Sequence, residues 1–240
     1  MSRGVGEFEV IQGAIPDPFA ILVALVTQLG DIWFVSLLLV VLFVRSDRVG
    51  RDRIAIVGGF VIGAIGLVFA AKYLFALPRP DQPLIALSAL PPSLQPVYEL
   101  TGYASGYGFP SGHAVVSTVT YLALAETLPV STRRRRYAGA AAVITVVCFA
   151  RVALGLHYLV DVVAGAALGA AFLFVAFRLV ARYRSAERRR TVALGLGVTL
   201  AGMSVLVSGA HYEPLVLLVA ASGVFGLSYV FDERRATPTR

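Results

Sequence analysis

The sequence predicts an all-α, polytopic transmembrane bundle of six to seven helices, and three observations carry that prediction. Hydrophobic residues make up 58% of the 240 and charged residues only 15%, with a mean hydropathy of +0.79. A soluble domain of this length needs more polar residues to cover its surface. The apolar residues fall in runs near the 17–25 or so that a ~30 Å hydrocarbon core demands of a helix. The basic residues are confined largely to alternate connections between those runs.

In chain order the runs cover 19–44, 54–77, 114–128, 137–154, 157–180, 192–207 and 215–231. The first is overlong and broken at "LGD" (29–31), which reads as a short interfacial helix followed by a span. Six spans and a seventh helix result. One membrane domain over 1–240 is expected. It comprises a tail, first helix region and cytoplasmic loop in 1–53, a core in 54–180, and C-terminal helices and tail in 181–240. The N-terminal "MSRGVGEFEVIQGAIPDPF" lacks a basic segment, short apolar core and small-residue cleavage site, so the first span is expected to do the targeting. Cys148 is the single cysteine and reads as a small packed residue. The pairs Gly59/Gly63 and Gly165/Gly169 have the spacing that lets membrane helices approach closely.

The net charge of +7 does not point to nucleic acid, because its distribution is that of topology anchors. Seventeen of the 21 basic residues lie in 45–53, 133–136, 178–190 and the tail 232–240. Connections rich in arginine face the cytoplasm, so the intervening ones face outward. The remaining four cations, Arg3, Lys72, Arg79 and Arg151, then lie on the outer side, where orientation gives them no task. Lys72 is the only lysine in the chain.

Three clusters gather at that outer level. The second run ends in "KYLFALPRP" (72–80), where Pro78 and Pro80 break the helix and let Arg79 turn back toward Lys72. After a connection of about 30 residues, unusually long for a compact bundle, "FPSGHAV" (109–115) opens the next run. Ser111 or Gly112 stands near the N-cap, where unpaired N–H groups and the helix dipole favour an anion, and His113 sits on the rim. The third cluster, "RVALGLHYLVD" (151–161), has Arg151 ending one helix, Gly155 in the turn, and His157 opening the next. Asp161 at i+4 is expected to share a face with His157 and to orient its ring. Each cluster also has a bland reading, as snorkelling cations, an ordinary helix start and a self-satisfied His–Asp pair. Ionisable groups in apolar segments nevertheless make function the default. Three cations, a helix N-terminus, an oriented nucleophile and a spare acid suit phosphoryl transfer. Neither a carboxylate cluster nor a His/Cys set suggests a metal, so no metal and no cofactor is expected.

These residues, read as Lys-x6-Arg-Pro, Pro-Ser-Gly-His and Arg-x5-His-x3-Asp in that order, resemble the type 2 phosphatidic acid phosphatase family. This is the membrane branch of the superfamily that includes vanadium haloperoxidases. The resemblance implies an acid phosphatase/haloperoxidase-like core and a metal-independent phosphatase at the cell membrane, with its site on the extracytoplasmic side. A lipid phosphate or diphosphate would be the substrate. It implies His157 as the nucleophile that forms a phosphohistidine, Asp161 as its orienter and His113 as the general acid. Lys72, Arg79, Ser111, Gly112 and Arg151 would hold the phosphoryl oxygens. One departure is Ala150, which stands where the family's third motif usually has serine and so removes one hydroxyl donor. A vanadate-dependent haloperoxidase would share the pocket, but its relatives are soluble. A non-catalytic anion binder would not need the His157–Asp161 pair.

Two segments stand outside the motifs. "PVYELTGYASGYGF" (96–109) interleaves Tyr98, Tyr103, Tyr107 and Phe109 with glycines and is expected to lie at headgroup level, where it would gate lipid access or serve as a passive loop. His211 beside Tyr212 reads as an interfacial histidine.

Overall fold

A computed structural model describes residues 3–236, and among them all regular structure is helical. Two short helices, α1 (Glu7–Gly13) and α2 (Ala20–Val26), precede α3 (Ile32–Arg45), α4 (Arg48–Phe75) and α5 (Gln95–Gly102). The chain continues with α6 (Gly112–Thr127), α7 (Arg133–Ala153), α8 (Leu159–Ala181), α9 (Ala186–Ser208) and α10 (Tyr212–Ala236). Each of the seven apolar runs is helical over most of its length. The run 19–44 is divided as its "LGD" break foretells: a 3₁₀ turn, Thr27–Gly30, separates α2 from α3. Two helices, α1 and α5, carry no long apolar period and were not expected.

The spans are less uniform than six equal crossings. Val49–Phe75, Arg133–Ala153, Leu159–Ala181 and Ala186–Ser208 are each long and apolar enough to cross a bilayer. The pair Glu7–Gly13 and Asp17–Gly30 passes that test only when joined, and it is bent by 98°. The apolar stretches Ile32–Arg45 and Tyr212–Ser228 are shorter. The side chains at the outer faces are apolar, with Leu37, Val40, Phe174, Val175, Leu206 and Val219 all exposed. Such a surface needs lipid around it rather than water.

Helix α6 is the centre of the bundle and packs against α7, α8 and α4, while α4 runs along α9. Val115, Val116 and Val119 of α6 are buried with Val57, Phe60 and Ala64 of α4 and Leu173 and Ala176 of α8. Small residues permit these approaches. A Cβ at Gly165 would lie 2.7 Å from the Ser111 carbonyl oxygen, and one at Gly169 would lie 2.9 Å from that of Val115. The glycines of α8 therefore decide how near the start of α6 can come.

The arginine-rich segments meet at one end. There Asp47 caps α4 through the Gly50 N–H, Arg190 pairs with Asp52, and Arg136 donates to the Ala125 and Ser131 carbonyls. The basic residues of the C-terminal tail lie outside the described side chains and residues. The C-terminal end of α4, the N-terminus of α6 and the α7–α8 turn meet at the other end. The long connection covers them, and of its four aromatics Tyr103 and Tyr107 are exposed as expected while Tyr98 turns inward. Tyr98 is buried in a second cluster with Ala20, Ala24, Ile85, Leu90, Leu154 and Leu156. Tyr107 packs edge-on against Tyr73, and Phe109 against Phe75. His211 stacks on Tyr73 at 4.8 Å between ring centroids, so its neighbour is α4 rather than Tyr212 alone.

Candidate active site

The site is assembled from three chain reversals. Helix α4 ends at Phe75, earlier than the prolines require, because Ala76 adopts a left-handed conformation (φ 48°) and its N–H closes the helix on Lys72 O. Lys72 is thus in the last turn. The extended chain beyond it carries Arg79 back across the bundle end. Its Nε donates to Ser105 O (3.1 Å), and its Nη1 lies within reach of Leu156 O (3.0 Å) and His157 Nε2 (3.1 Å).

Ser111 is the N-cap of α6, yet its side chain caps nothing. Its N–H donates to the Asp161 carbonyl at 3.0 Å, fixing α6 to α8, while its buried Oγ has no hydrogen-bond partner among the described residues. The first turn is secured from within, where Ser117 Oγ donates to His113 O at 2.5 Å. The early N–H groups of α6 are consequently left without side-chain partners, as an anion site requires.

Arg151 closes α7, only 3% exposed, and its Nη1 donates to Thr27 Oγ1 at 3.2 Å. Its Nε is buried without a partner among the described residues. Gly155 makes the reversal with φ 68°, and a Cβ there would overlap the Gln82 carbonyl. Both facts demand glycine. His157 follows, 1% exposed.

The expected His157–Asp161 pairing is present, with 3.7 Å between Nδ1 and Oδ2, but not by the expected geometry. Helix α8 begins at Leu159, so His157 lies before it and the i+4 face does not apply. Asp161 is the third helical residue, and its Oδ2 accepts from the Tyr158 N–H at 3.0 Å. It approaches His157 Nδ1 to 3.7 Å, whereas the Gly108 carbonyl accepts from that nitrogen at 2.7 Å. A carbonyl has no proton to give, so Nδ1 carries the hydrogen and Nε2 holds the lone pair. Burial, and after it the charges of Arg151, Arg79 and Lys72, hold the ring well below the usual histidine range. The imidazole is neutral, as a nucleophile must be.

Six expected residues, Lys72, Arg79, Gly112, His113, Arg151 and His157, line one cavity of about 180 Å³. Ser111 and Asp161 are adjacent and buried but do not line it. Four contributors escaped the sequence reading. Asp31 lines the cavity 3.5 Å from His113 Nε2, Thr27 holds Arg151, and Gly108 orients His157. The fourth is Arg3, whose Nη2 donates to Asp161 Oδ2 (3.3 Å) and Pro78 O (2.7 Å). The "LGD" break and the unexplained outer position of Arg3 were the available signals; a backbone carbonyl such as that of Gly108 leaves none. Among the described residues no three His, Cys, Asp or Glu side chains come together as a metal-binding group.

Comparison with known proteins gives the chain its family. Residues 53–185 match the family described as the PAP2 superfamily. An undecaprenyl-diphosphatase of Sulfolobus acidocaldarius is 29% identical over 150 residues, which are 62% of this chain and 63% of that protein. The match thus spans under two thirds of the relative's length. The crystal structure of a transmembrane PAP2-type phosphatidylglycerolphosphate phosphatase from Bacillus subtilis superposes with a TM-score of 0.55. It covers 75% of this chain and 87% of that one at 22% identity, a likeness of fold.

Proposed function

Because the chain belongs to the PAP2 superfamily, we propose that it is a membrane phosphatase that hydrolyses a lipid phosphate or diphosphate through a phosphohistidine, without a metal. The observation that carries this reading is the convergence of three cations, a helix N-terminus and two histidines on one small cavity. Arg151 Nε, a buried donor on the cavity wall without a partner among the described residues, supports this reading, since an unmade buried hydrogen bond is costly and a phosphoryl oxygen would satisfy it. The two named relatives act, by their names, on a polyprenyl diphosphate and a glycerolipid phosphate. Both present a phosphate at the interface and a tail in the bilayer, and that is the substrate class proposed here.

In this mechanism Lys72, Arg79, Arg151 and the N–H groups of Gly112 and His113 neutralise the equatorial oxygens of five-coordinate phosphorus. His157 Nε2 attacks. The N–P bond forms as the P–O bond to the leaving group breaks, and His113 gives that oxygen its proton. Water then attacks the phosphohistidine, returning a proton to His113 and releasing orthophosphate. One step is specific to this site. Arg79 Nη1 lies 3.1 Å from Nε2, so its hydrogen bond must pass from Nε2 to a phosphoryl oxygen before attack, the guanidinium keeping its proton. Substrate binding itself uncovers the nucleophile.

The decisive test is phosphate release from phosphatidate, phosphatidylglycerophosphate and undecaprenyl diphosphate in detergent. No release from any of them above the rate of a His157→Ala control would remove the proposal. Activity is expected to survive EDTA, because side-chain cations fill the role of a metal, and to fall with micromolar to millimolar vanadate, which mimics five-coordinate phosphorus. Loss in EDTA that a divalent ion restores would overturn the metal-free assignment.

The protein is a multi-pass membrane protein, and the proposed orientation places the site outside the cytoplasm of the cell membrane. In a Cys148→Ala background, Ser93→Cys is expected to react with an impermeant maleimide added outside intact cells, and Arg134→Cys to stay protected. The reverse pattern would invert the topology.

A further inference from the structure

The break in the first apolar run is built into the site. Tyr121 OH donates to Leu29 O at 2.6 Å and Arg151 Nη1 to Thr27 Oγ1 at 3.2 Å, so α6 and α7 both grip the turn between α2 and α3. A Cβ at Gly30 would lie 3.4 Å from His113 Cδ2 and 2.8 Å from Val147 Cγ1, which places the turn's backbone against the histidine ring. The next residue, Asp31, caps α3 by accepting from the Trp33 N–H through Oδ1 (3.4 Å). Its other oxygen, Oδ2, lies 3.5 Å from His113 Nε2, with the two side chains 33% and 20% exposed.

We propose that Asp31 is a positioning residue for His113, holding Nε2–H so that Nδ1 presents the proton delivered to the leaving oxygen. This rests on the phosphatase reading above and extends it to a carboxylate outside the three motifs.

Electrostatics makes such a partner necessary. The charged and titratable groups that share the cavity with His113 are Lys72 from α4, Arg79 from the long connection, Arg151 from α7, His157 from the α7–α8 turn, and Asp31. Lys72, Arg79 and Arg151 disfavour an imidazolium, and His157 adds no negative charge. Asp31 is the only anion among these groups. Burial pushes its carboxyl up, and contact with His113, the Trp33 N–H and the charge of Arg151 outweigh it, leaving the group below the usual carboxylate range. The carboxylate form is thus the one that faces His113 near neutral pH. A carboxylate against one ring nitrogen fixes the tautomer and favours the protonated ring. The proton balance closes: imidazolium Nδ1–H passes to the leaving alkoxide oxygen, and the ring stays neutral with Nε2–H on Asp31.

The test uses the full-length protein. Asp31→Asn removes the charge but keeps an N-cap oxygen for Trp33, so the start of α3 is preserved. Turnover of a lipid monophosphate is expected to fall about 10- to 100-fold, a part of what general acid help is worth. Nitrophenyl phosphate, whose leaving group needs no proton, should change less than about threefold. The alkaline limb of the kcat profile for the lipid should also move to lower pH, since His113 loses its proton more readily. Asp31→Glu should restore part of the lipid activity. Equal losses on both substrates, or an unmoved alkaline limb, would overturn the role of Asp31. A wild-type enzyme that releases no phosphate from any lipid would instead overturn the phosphatase reading.

Discussion

His157→Ala is expected to abolish phosphate release from every substrate, by about 10⁴–10⁶-fold, the scale of removing a nucleophile from a preorganised site. The geometry leaves no substitute. The Gly108 carbonyl claims Nδ1 and so leaves Nε2 as the free lone pair, facing Arg79 inside the cavity. No activated leaving group can rescue the loss, because the missing event is attack on phosphorus. Acid-sensitive ³²P incorporated from a labelled substrate and present in the wild type should be absent. His157→Gln, which keeps most of the buried volume, is expected to be as inactive, and this separates lost chemistry from lost packing. Persistence of a phosphoenzyme in either variant would assign the nucleophile elsewhere.

The second large effect divides substrates. His113→Ala is expected to slow hydrolysis of a lipid monophosphate about 10²–10⁴-fold, the usual worth of general acid catalysis. Nitrophenyl phosphate hydrolysis should fall less than about tenfold. An alkoxide is a poor leaving group without a proton, whereas a nitrophenolate departs unaided. Phosphoenzyme should still form from the activated ester. The opposite division, with His113→Ala lacking phosphoenzyme and His157→Ala retaining it, would exchange the two roles.

Much of this site was legible because its motifs sit where helices end. Proline after Lys72, Pro-Ser-Gly before His113 and glycine before His157 are local signals, and the structure gathers their cations and histidines at one cavity. Contacts made by packing left weaker traces. Asp31 and His113 are 82 positions apart in sequence, and their contact depends on how the broken first run folds against α6 and α7. Gly108 acts through its carbonyl, which every residue possesses. The His157–Asp161 spacing did bring the two side chains within 3.7 Å, but not on a shared helical face: α8 starts two residues after His157, and Asp161 is occupied in its own cap. Lys72 and Arg79 likewise meet through an early helix stop at Ala76, whose left-handed backbone no sequence rule for alanine foretells.

The peptide between Gly108 and its neighbours ties three parts of the molecule together. Its N–H holds Leu77 O at 2.7 Å, its carbonyl holds His157 at 2.7 Å, and Phe109 rests on Phe75. A side chain at 108 would meet Pro78 O at 2.8 Å and the Arg79 Cα at 3.1 Å, so the strand cannot ride higher without prising cation and nucleophile apart. One backbone carbonyl thus couples the position of this segment to that of the imidazole. If the substrate is the lipid proposed above, any excursion of this extended segment that made room for its tail would also release the imidazole from its register. Alignment would return only when the segment did. Under the proposed phosphatase reading, a small phosphate that left this segment undisturbed would find the imidazole already in register.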